Sequence, residues 1–391
     1  MTGPQTTTPP QPTTQRQIHI AKPTLGDEEW QALRDPLLSG WLTQGPQVAA
    51  FEKRFAARHQ AAHALATTSC TTALHLILAA LGIGPGDEVI VPALSWVASA
   101  NVVLYCGATP VFVDIDPATF NLDAKQVAAA ITPKTKAVMA VHLFGLCADM
   151  DAVQDAAGEL PVIEDAACAV GSSYKGRAAG TLGLAGAFSF HPRKTITTGE
   201  GGMVTTNDQP LAECMDQLRN HGASLSEEQR HHGPRPYLLA DYNLMGFNYR
   251  MTDMQGAVGL VQLDRLDGLL EERRRWAAWY NEQLAELPWL LTPVVPDGYE
   301  HGWQAYVCRV NEQTAPAPRN DMMETLQQAG ISTRPGTHAI PTLGYYRQRF
   351  GYDETRFPNS WQAENTSLAL PLHNQMTPED YQYVVDHLKA L

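Results

Sequence analysis

From Phe51 to Thr206 the chain alternates short strand-like runs with helix-patterned stretches, and few folds accommodate that alternation. The runs Glu88–Val91, Pro110–Asp114, Ala137–Leu143, Val162–Glu164, Ala187–Phe190 and Met203–Thr205 read as strands. Helical stretches lie between several of them. One, Thr72–Leu81, precedes the first and puts Leu74, Ile77, Leu78 and Leu81 on a single face. A chain of this pattern folds as α/β, with a mostly parallel sheet flanked by helices. Ligands in such sheets bind beyond the carboxyl ends of the strands.

A second pattern begins at Thr252. Thr252-Asp253-Met254-Gln255 fits a capping box, and Met254, Ala257, Val258 and Val261 recur at helical spacing towards Arg275. Pro288, Pro293 and Pro296 then interrupt it. These breaks divide the chain into a large domain over 17–275 and a smaller C-terminal α+β domain over 276–391, with Ala305–Val310 as a strand of the latter. Residues 1–16 are rich in Thr, Pro and Gln, lack the apolar centre of a secretion signal, and read as a disordered tail.

Composition excludes several functions. The net charge of -13 argues against a nucleic-acid surface. The one basic cluster, Arg273-Arg274-Arg275, follows two glutamates and reads as a solvated helix face. No run has the length of a membrane span. The six cysteines are scattered, without a C-x-x-C pair or zinc-like histidine spacing, so reduced thiols and no metal are expected. A cytoplasmic protein fits these features.

The chemistry gathers at two strand ends. Pro161-Val162-Ile163-Glu164-Asp165 closes a buried run with a carboxylate, and Lys194 lies in a glycine-rich loop between Ala187–Phe190 and Met203–Thr205. Desolvation there would lower the lysine pKa and free its amine to attack an aldehyde. An aspartate to keep a pyridine nitrogen protonated and a lysine to form a Schiff base are what pyridoxal phosphate (PLP) requires; a helix-capping or turn aspartate and a solvated loop lysine are the ordinary alternatives. Thr71 and Thr72 open the first strong helix, where a phosphate is welcome; ordinary helix capping explains them equally well. Trp96 after a strand suits stacking on a flat ring or simple core packing, and Ser189 suits a phosphate donor or packing.

Taken in order, a set of segments resembles the DegT/StrS-like sugar aminotransferases. They are Gly40-Trp41-Leu42-Thr43-Gln44-Gly45-Pro46, Ser69-Cys70-Thr71-Thr72-Ala73-Leu74-His75, Gly84–Pro92, Val111–Asp116, Glu164–Ala167, Ser189–Lys194, Gly246-Phe247-Asn248-Tyr249-Arg250-Met251 and Leu368–His373. The resemblance runs from about residue 17 to the C-terminus. It implies a fold-type I PLP enzyme that aminates keto sugars carried on nucleotides. By that similarity Lys194 would form the Schiff base, Asp165 would pair with the pyridine nitrogen, Trp96 would stack on the ring, and Thr71, Thr72 and Ser189 would hold the phosphate. Asn248 would reach the phosphate of a neighbouring subunit, making a homodimer with shared active sites. One position departs from the family: where Gln, His or Glu is usual, this chain has Cys168, a neighbour of the cofactor ring or, as the favoured expectation, a small buried apolar residue. His142, His191 and His221 lie near these segments and are given no role.

The expected activity is transfer of an amino group from an amino acid, glutamate as the favoured donor, to a keto group of a nucleotide-linked deoxysugar, with ping-pong kinetics. Trp41, Arg250 and His338 are candidate substrate contacts, with surface pairing the ordinary alternative for the arginine. Two rivals remain: amination of a keto-cyclitol, as in aminoglycoside pathways, and a non-catalytic regulatory protein on a PLP fold. Sequence leaves open the nucleotide, the sugar carbon aminated and its face.

Overall fold

The computed structural model describes residues 16–224, 237 and 239–391. The first fifteen residues of the expected tail lie outside this range. Arg16, its last residue, pairs with Asp380 at 2.7 Å and lies over the Tyr383 ring, so it is part of the folded body.

Seven strands form the central sheet: β1 (His63–Thr67), β2 (Glu88–Pro92), β3 (Thr109–Val113), β4 (Thr135–Val141), β5 (Val162–Asp165), β6 (Ala185–Ser189) and β7 (Gly202–Thr206). Their order across the sheet is β1-β7-β6-β5-β4-β2-β3. The pairs β3/β2, β2/β4, β4/β5 and β5/β6 are parallel, while β7 runs antiparallel to both β6 and β1. Strand β1 was not anticipated from the sequence. His-Ala-Leu-Ala-Thr has no β-branched residue before Thr67, and it is pairing with β7 that makes it a strand.

Alternate residues of each strand feed opposite cores. Val89, Val91, Ile163, Ala187 and Val204 pack with the helices α2 (Cys70–Ala80), α3 (Ala98–Tyr105) and α4 (Gln209–Arg219). Ile90, Val138, Phe188 and Met203 face the other way, against α1 (Pro46–Arg58) and α5 (Asp253–Leu284). Both faces are therefore dry, as a mostly parallel sheet requires. Close approach of α1 and α5 depends on Gly256 and Gly259, where a Cβ would meet Val48 N at 2.7 Å and the Phe51 ring at 2.7 Å.

The capping box at the start of α5 is formed: Thr252 Oγ1 accepts from Gln255 N, and Gln255 Oε1 accepts from Thr252 N at 3.0 Å. The helix continues past Arg275 to Leu284. A division at 275 is thus a change of packing partner within one helix. Leu266 and Leu270 belong to the sheet core, whereas Ala277, Tyr280 and Leu284 pack with Tyr306, Leu368 and Val384. There a three-stranded antiparallel sheet forms, with β9 (Tyr306–Val310) between β8 (Leu290–Leu291) and β10 (Ser367–Leu370).

Arg273 departs from the expected solvated face. It is buried, and its guanidinium donates to Trp303 O at 2.9 Å, Leu372 O at 3.2 Å and Asn374 Oδ1 at 2.9 Å. The carbonyls of the C-terminal segment need those donors, and burial pushes the group down to about 10. A short antiparallel contact, His338 opposite Ser95 and Ala339 opposite Leu94, brings residues of the C-terminal third beside the end of β2.

Among the described residues all six cysteines are free, and no cluster of three or more His, Cys, Asp and Glu is placed to hold a metal. No helix among them is long and apolar enough to cross a membrane.

Candidate active site

Asp165 is the last residue of β5, flanked by β4 and β6 at the carboxyl edge of the parallel strands. Its residue is 5 % exposed, a position where an ionisable group normally has an opposite charge. Here the carboxylate accepts from Ser99 Oγ at 2.7 Å and from Ala167 N at 3.2 Å, with the Cys70 thiol at 3.9 Å. Among the described residues it takes part in no ion pair within 4 Å. Burial, and then the charge of Asp165, push the Cys70 thiol far up, so it stays a neutral donor.

Lys194 is delivered by the loop that joins β6 to its antiparallel neighbour β7. Thr197 Oγ1 and Thr198 N both donate to Phe190 O, at 2.7 and 3.0 Å, and Lys194 N donates to His191 O at 2.8 Å. From α5, Gln255 donates to Glu200 O at 2.6 Å, and Gln262 accepts from Thr197 N at 3.1 Å. So many tethers leave the loop little freedom.

The ammonium of Lys194 donates to Cys168 Sγ at 3.1 Å. This corrects two expectations. Cys168 is half-buried and serves as the lysine's hydrogen-bond acceptor, because the turn closed by Ala169 N to Ala166 O swings it over the strand end. The lysine pKa is also raised, not lowered. Burial pulls the ammonium down, but the Cys168 sulfur it donates to, with the Asp165 carboxylate nearby, more than offsets that.

The phosphate candidates surround the start of α2. Ser69 is the N-cap, its Oγ accepting from Thr72 N at 3.2 Å, and Thr72 Oγ1 donates to Ser69 O at 2.8 Å. Thr72 therefore spends its hydroxyl proton on the cap, and the capping alternative describes it well. Thr71 stands half-buried in the first turn beside the helix's free N–H groups. Gly202 of β7 lies against this turn so closely that a Cβ would fall 2.4 Å from the Ser69 carbonyl. Ser189, buried at the end of β6, accepts from His191 N at 3.4 Å.

The remaining candidates sit further out. Trp96 is 62 % exposed, with its ring centroid 5.9 Å from that of His338, which leans on Glu364 at 3.3 Å. Asn248 is exposed and bridges to Asn220, whose side chain also accepts from Arg250. Thr68 N donates to Tyr249 O at 3.1 Å, so the 248–250 segment lies along the turn that precedes α2. Trp41 is half-buried over Gly45, its indole donating to Gln44 O at 3.1 Å. Asp253 of α5 accepts from Gln47 N and Val48 N and fixes that loop. The structure thus joins Asp165, Lys194 and Cys168 and pairs Trp96 with His338.

Sequence reasoning missed Ser99, Cys70 and the pair behind the strand ends. His142 Nε2 donates to Glu164 at 2.8 Å, and Glu164 also accepts from the N–H groups of Gly180, Leu182 and Gly183. Period-two alternation puts Glu164 and Asp165 on opposite faces, and that was the available signal. Glu164 fastens the sheet while Asp165 faces the strand-end site.

These donors fit PLP. A buried carboxylate that makes no ion pair within 4 Å suits a protonated ring nitrogen, a tethered amine suits an aldehyde, and an open helix N-terminus suits a phosphate.

A sequence-family model described as the DegT/DnrJ/EryC1/StrS aminotransferase family matches residues 23–389. The chain is 42% identical over 374 residues to the spore coat polysaccharide biosynthesis protein SpsC of Bacillus subtilis, covering 94% of this chain and 95% of that protein. It is also 42% identical over 372 residues to the GDP-perosamine synthase of Caulobacter vibrioides, covering 94% and 96%. Among solved structures, the PLP form of the putative sugar aminotransferase Spr1654 from Streptococcus pneumoniae superposes with a TM-score of 0.87 at 31% identity, covering 96% of this chain and 98% of that one. Helicobacter pylori PseC, an aminotransferase involved in the biosynthesis of pseudoaminic acid, superposes with a TM-score of 0.88 at 27% identity, covering 96% and 99%. With its strand-end aspartate and lysine in place, the chain belongs to the DegT/DnrJ/EryC1/StrS aminotransferase family and is a fold-type I, PLP-dependent sugar aminotransferase.

Proposed function

We propose that this enzyme moves an amino group from an amino acid, glutamate, to a keto group of a nucleotide-linked deoxysugar, and that it works in the cytoplasm. The observation that carries the reading is the buried Asp165 in the same strand-end cluster as Lys194. The named product of the 42%-identical GDP-perosamine synthase carries a nucleotide, which supports that class of acceptor.

When bound, PLP supplies an electron sink for the charge left when a proton leaves the donor α-carbon. Asp165 stabilises positive charge at the ring nitrogen. Lys194 would hold the cofactor's aldehyde and, once freed by the donor amine, would carry the proton lost at the donor α-carbon. The N-terminal turn of α2 with Thr71, and Ser189 at the end of β6, would hold the phosphate. One site serves donor and acceptor in turn, so double-reciprocal lines should be parallel. Trp41, Arg250 and His338 remain candidates for the acceptor.

A panel of nucleotide-linked 3-keto and 4-keto sugars with glutamate or glutamine tests the reading. Amine product should appear from nucleotide-linked sugars. A keto-cyclitol aminated in preference to all of them would overturn it, and no turnover with any ketone would favour a regulatory protein.

The working unit is proposed to be a homodimer. Leu239, Tyr242 and Met245 are 87 %, 56 % and 92 % exposed on the segment leading to Asn248, and apolar side chains so placed call for a cover. A second copy would bring Asn248 to its neighbour's phosphate site. Sedimentation of the holoenzyme should give a dimer at micromolar concentration, and a monomer there would refute the shared site.

A further inference from the structure

Asp165 is held from behind by a buried pair of hydroxyls that belongs to neither the phosphate nor the lysine side of the site. Ser99, in the first turn of α3, is fully buried and its Oγ lies 2.7 Å from Asp165 Oδ2. A second oxygen, Ser95 Oγ, lies 2.8 Å from Ser99 Oγ, and Ser95 is 1 % exposed. The direction of this chain follows from the inventory of protons. An ionised carboxylate only accepts, and a serine has a single hydroxyl proton. Ser99 therefore donates to Asp165, and Ser95 must donate to Ser99.

Two consequences follow for Asp165. Oδ1 receives Ala167 N at 3.2 Å and a distant thiol, whereas Oδ2 receives a short hydroxyl bond strengthened by a second donor behind it. The carboxylate plane is thus set by Ser99. The pair is also anchored where the substrate side begins. Ser95 precedes Trp96 and lies opposite His338 in the short antiparallel contact, and Ser99 N donates to Trp96 O at 3.1 Å.

We propose that Ser99 is a positioning residue for transamination: it orients Asp165 and favours its charged form towards the cofactor's ring nitrogen, with Ser95 polarising it. The proposal rests on the reading that Asp165 faces that nitrogen. Ser99 touches neither reacting atoms nor cofactor, and acts only through the aspartate.

The test uses the holoenzyme with Ser99→Ala, Ser99→Cys, Ser95→Ala and Asp165→Asn. Cysteine nearly keeps the shape of serine but donates weakly, so it reads the hydrogen bond even if the alanine variant folds poorly. Loss of a bond to a charged group should lower kcat roughly tenfold to a hundredfold in Ser99→Ala, and in the same direction in Ser99→Cys. KM for the amino donor should change little. Weaker support of positive charge at the ring nitrogen by a misaligned Asp165 should shift the pH at which the bound cofactor's absorbance changes, by about one unit. That transition is read as the visible absorbance of the resting enzyme without donor. Ser95→Ala should shift it the same way by less. A fall in kcat with an unmoved titration in both Ser99 variants would make Ser99 merely structural and overturn the proposal. An unmoved titration in Asp165→Asn as well would overturn the assignment of Asp165 itself, and this inference with it.

Discussion

Lys194→Ala is expected to lower kcat/KM for transamination by about 10⁴-fold, the upper end of what one positioned acid–base group supplies. Among the described residues Lys194 is the only lysine placed at this strand-end cluster, and the loop that carries it is fixed from three sides: its own turn, Phe190 and α5. The substitution removes an amine without removing any of those tethers, so the fold should survive. Cofactor should still bind through the α2 terminus, but weakly and without a covalent bond. Steady-state rates with glutamate and the best keto sugar of the panel measure the effect. Residual activity within tenfold of wild type would mean that another group moves the proton.

Asp165→Asn should cost about 10²–10³-fold in kcat, comparable to losing one preorganised electrostatic partner in a closed site. Asparagine keeps the shape and leaves Ser99 and Ala167 an oxygen to donate to, so what is lost is charge. The same substitution removes the cost of burying a carboxylate that makes no ion pair within 4 Å, but also its attraction for the Lys194 ammonium. The two effects oppose, so the cofactor-free variant should melt close to wild type while its holoenzyme turns over slowly. A variant that melts well below wild type would point to a structural carboxylate, and unchanged kcat would remove Asp165 from the chemistry.

Short apolar, β-branched runs located six of the seven central strands, because strands facing a dry core on both sides carry apolar residues almost continuously. It missed β1, whose Ala-rich residues become a strand only against β7. Asp165 and Lys194 stood out through the order and spacing of the segments that carry them, since either residue alone is ordinary at a strand end. Their surroundings were not. Cys168 reads as a small apolar residue until the turn after Asp165 places its sulfur 3.1 Å from Lys194 Nζ. Burial alone suggested a depressed lysine, and only the three-dimensional gathering of Cys168 and Asp165 reverses the sign. Arg273 misled for a related reason: three consecutive arginines look alike in sequence, yet the helix turns one of them onto the carbonyls of Trp303 and Leu372. Ser99 gave no signal at all, since a serine among alanines in a helix is ordinary until its oxygen meets a carboxylate.

The account depends most on which amine holds the cofactor. Borohydride reduction of the resting holoenzyme, followed by proteolysis and mass spectrometry, answers that directly. The added cofactor mass should appear on the peptide containing Lys194 and should vanish in Lys194→Ala. Cofactor mass fixed to a different lysine, or a reduced holoenzyme carrying none, would contradict it.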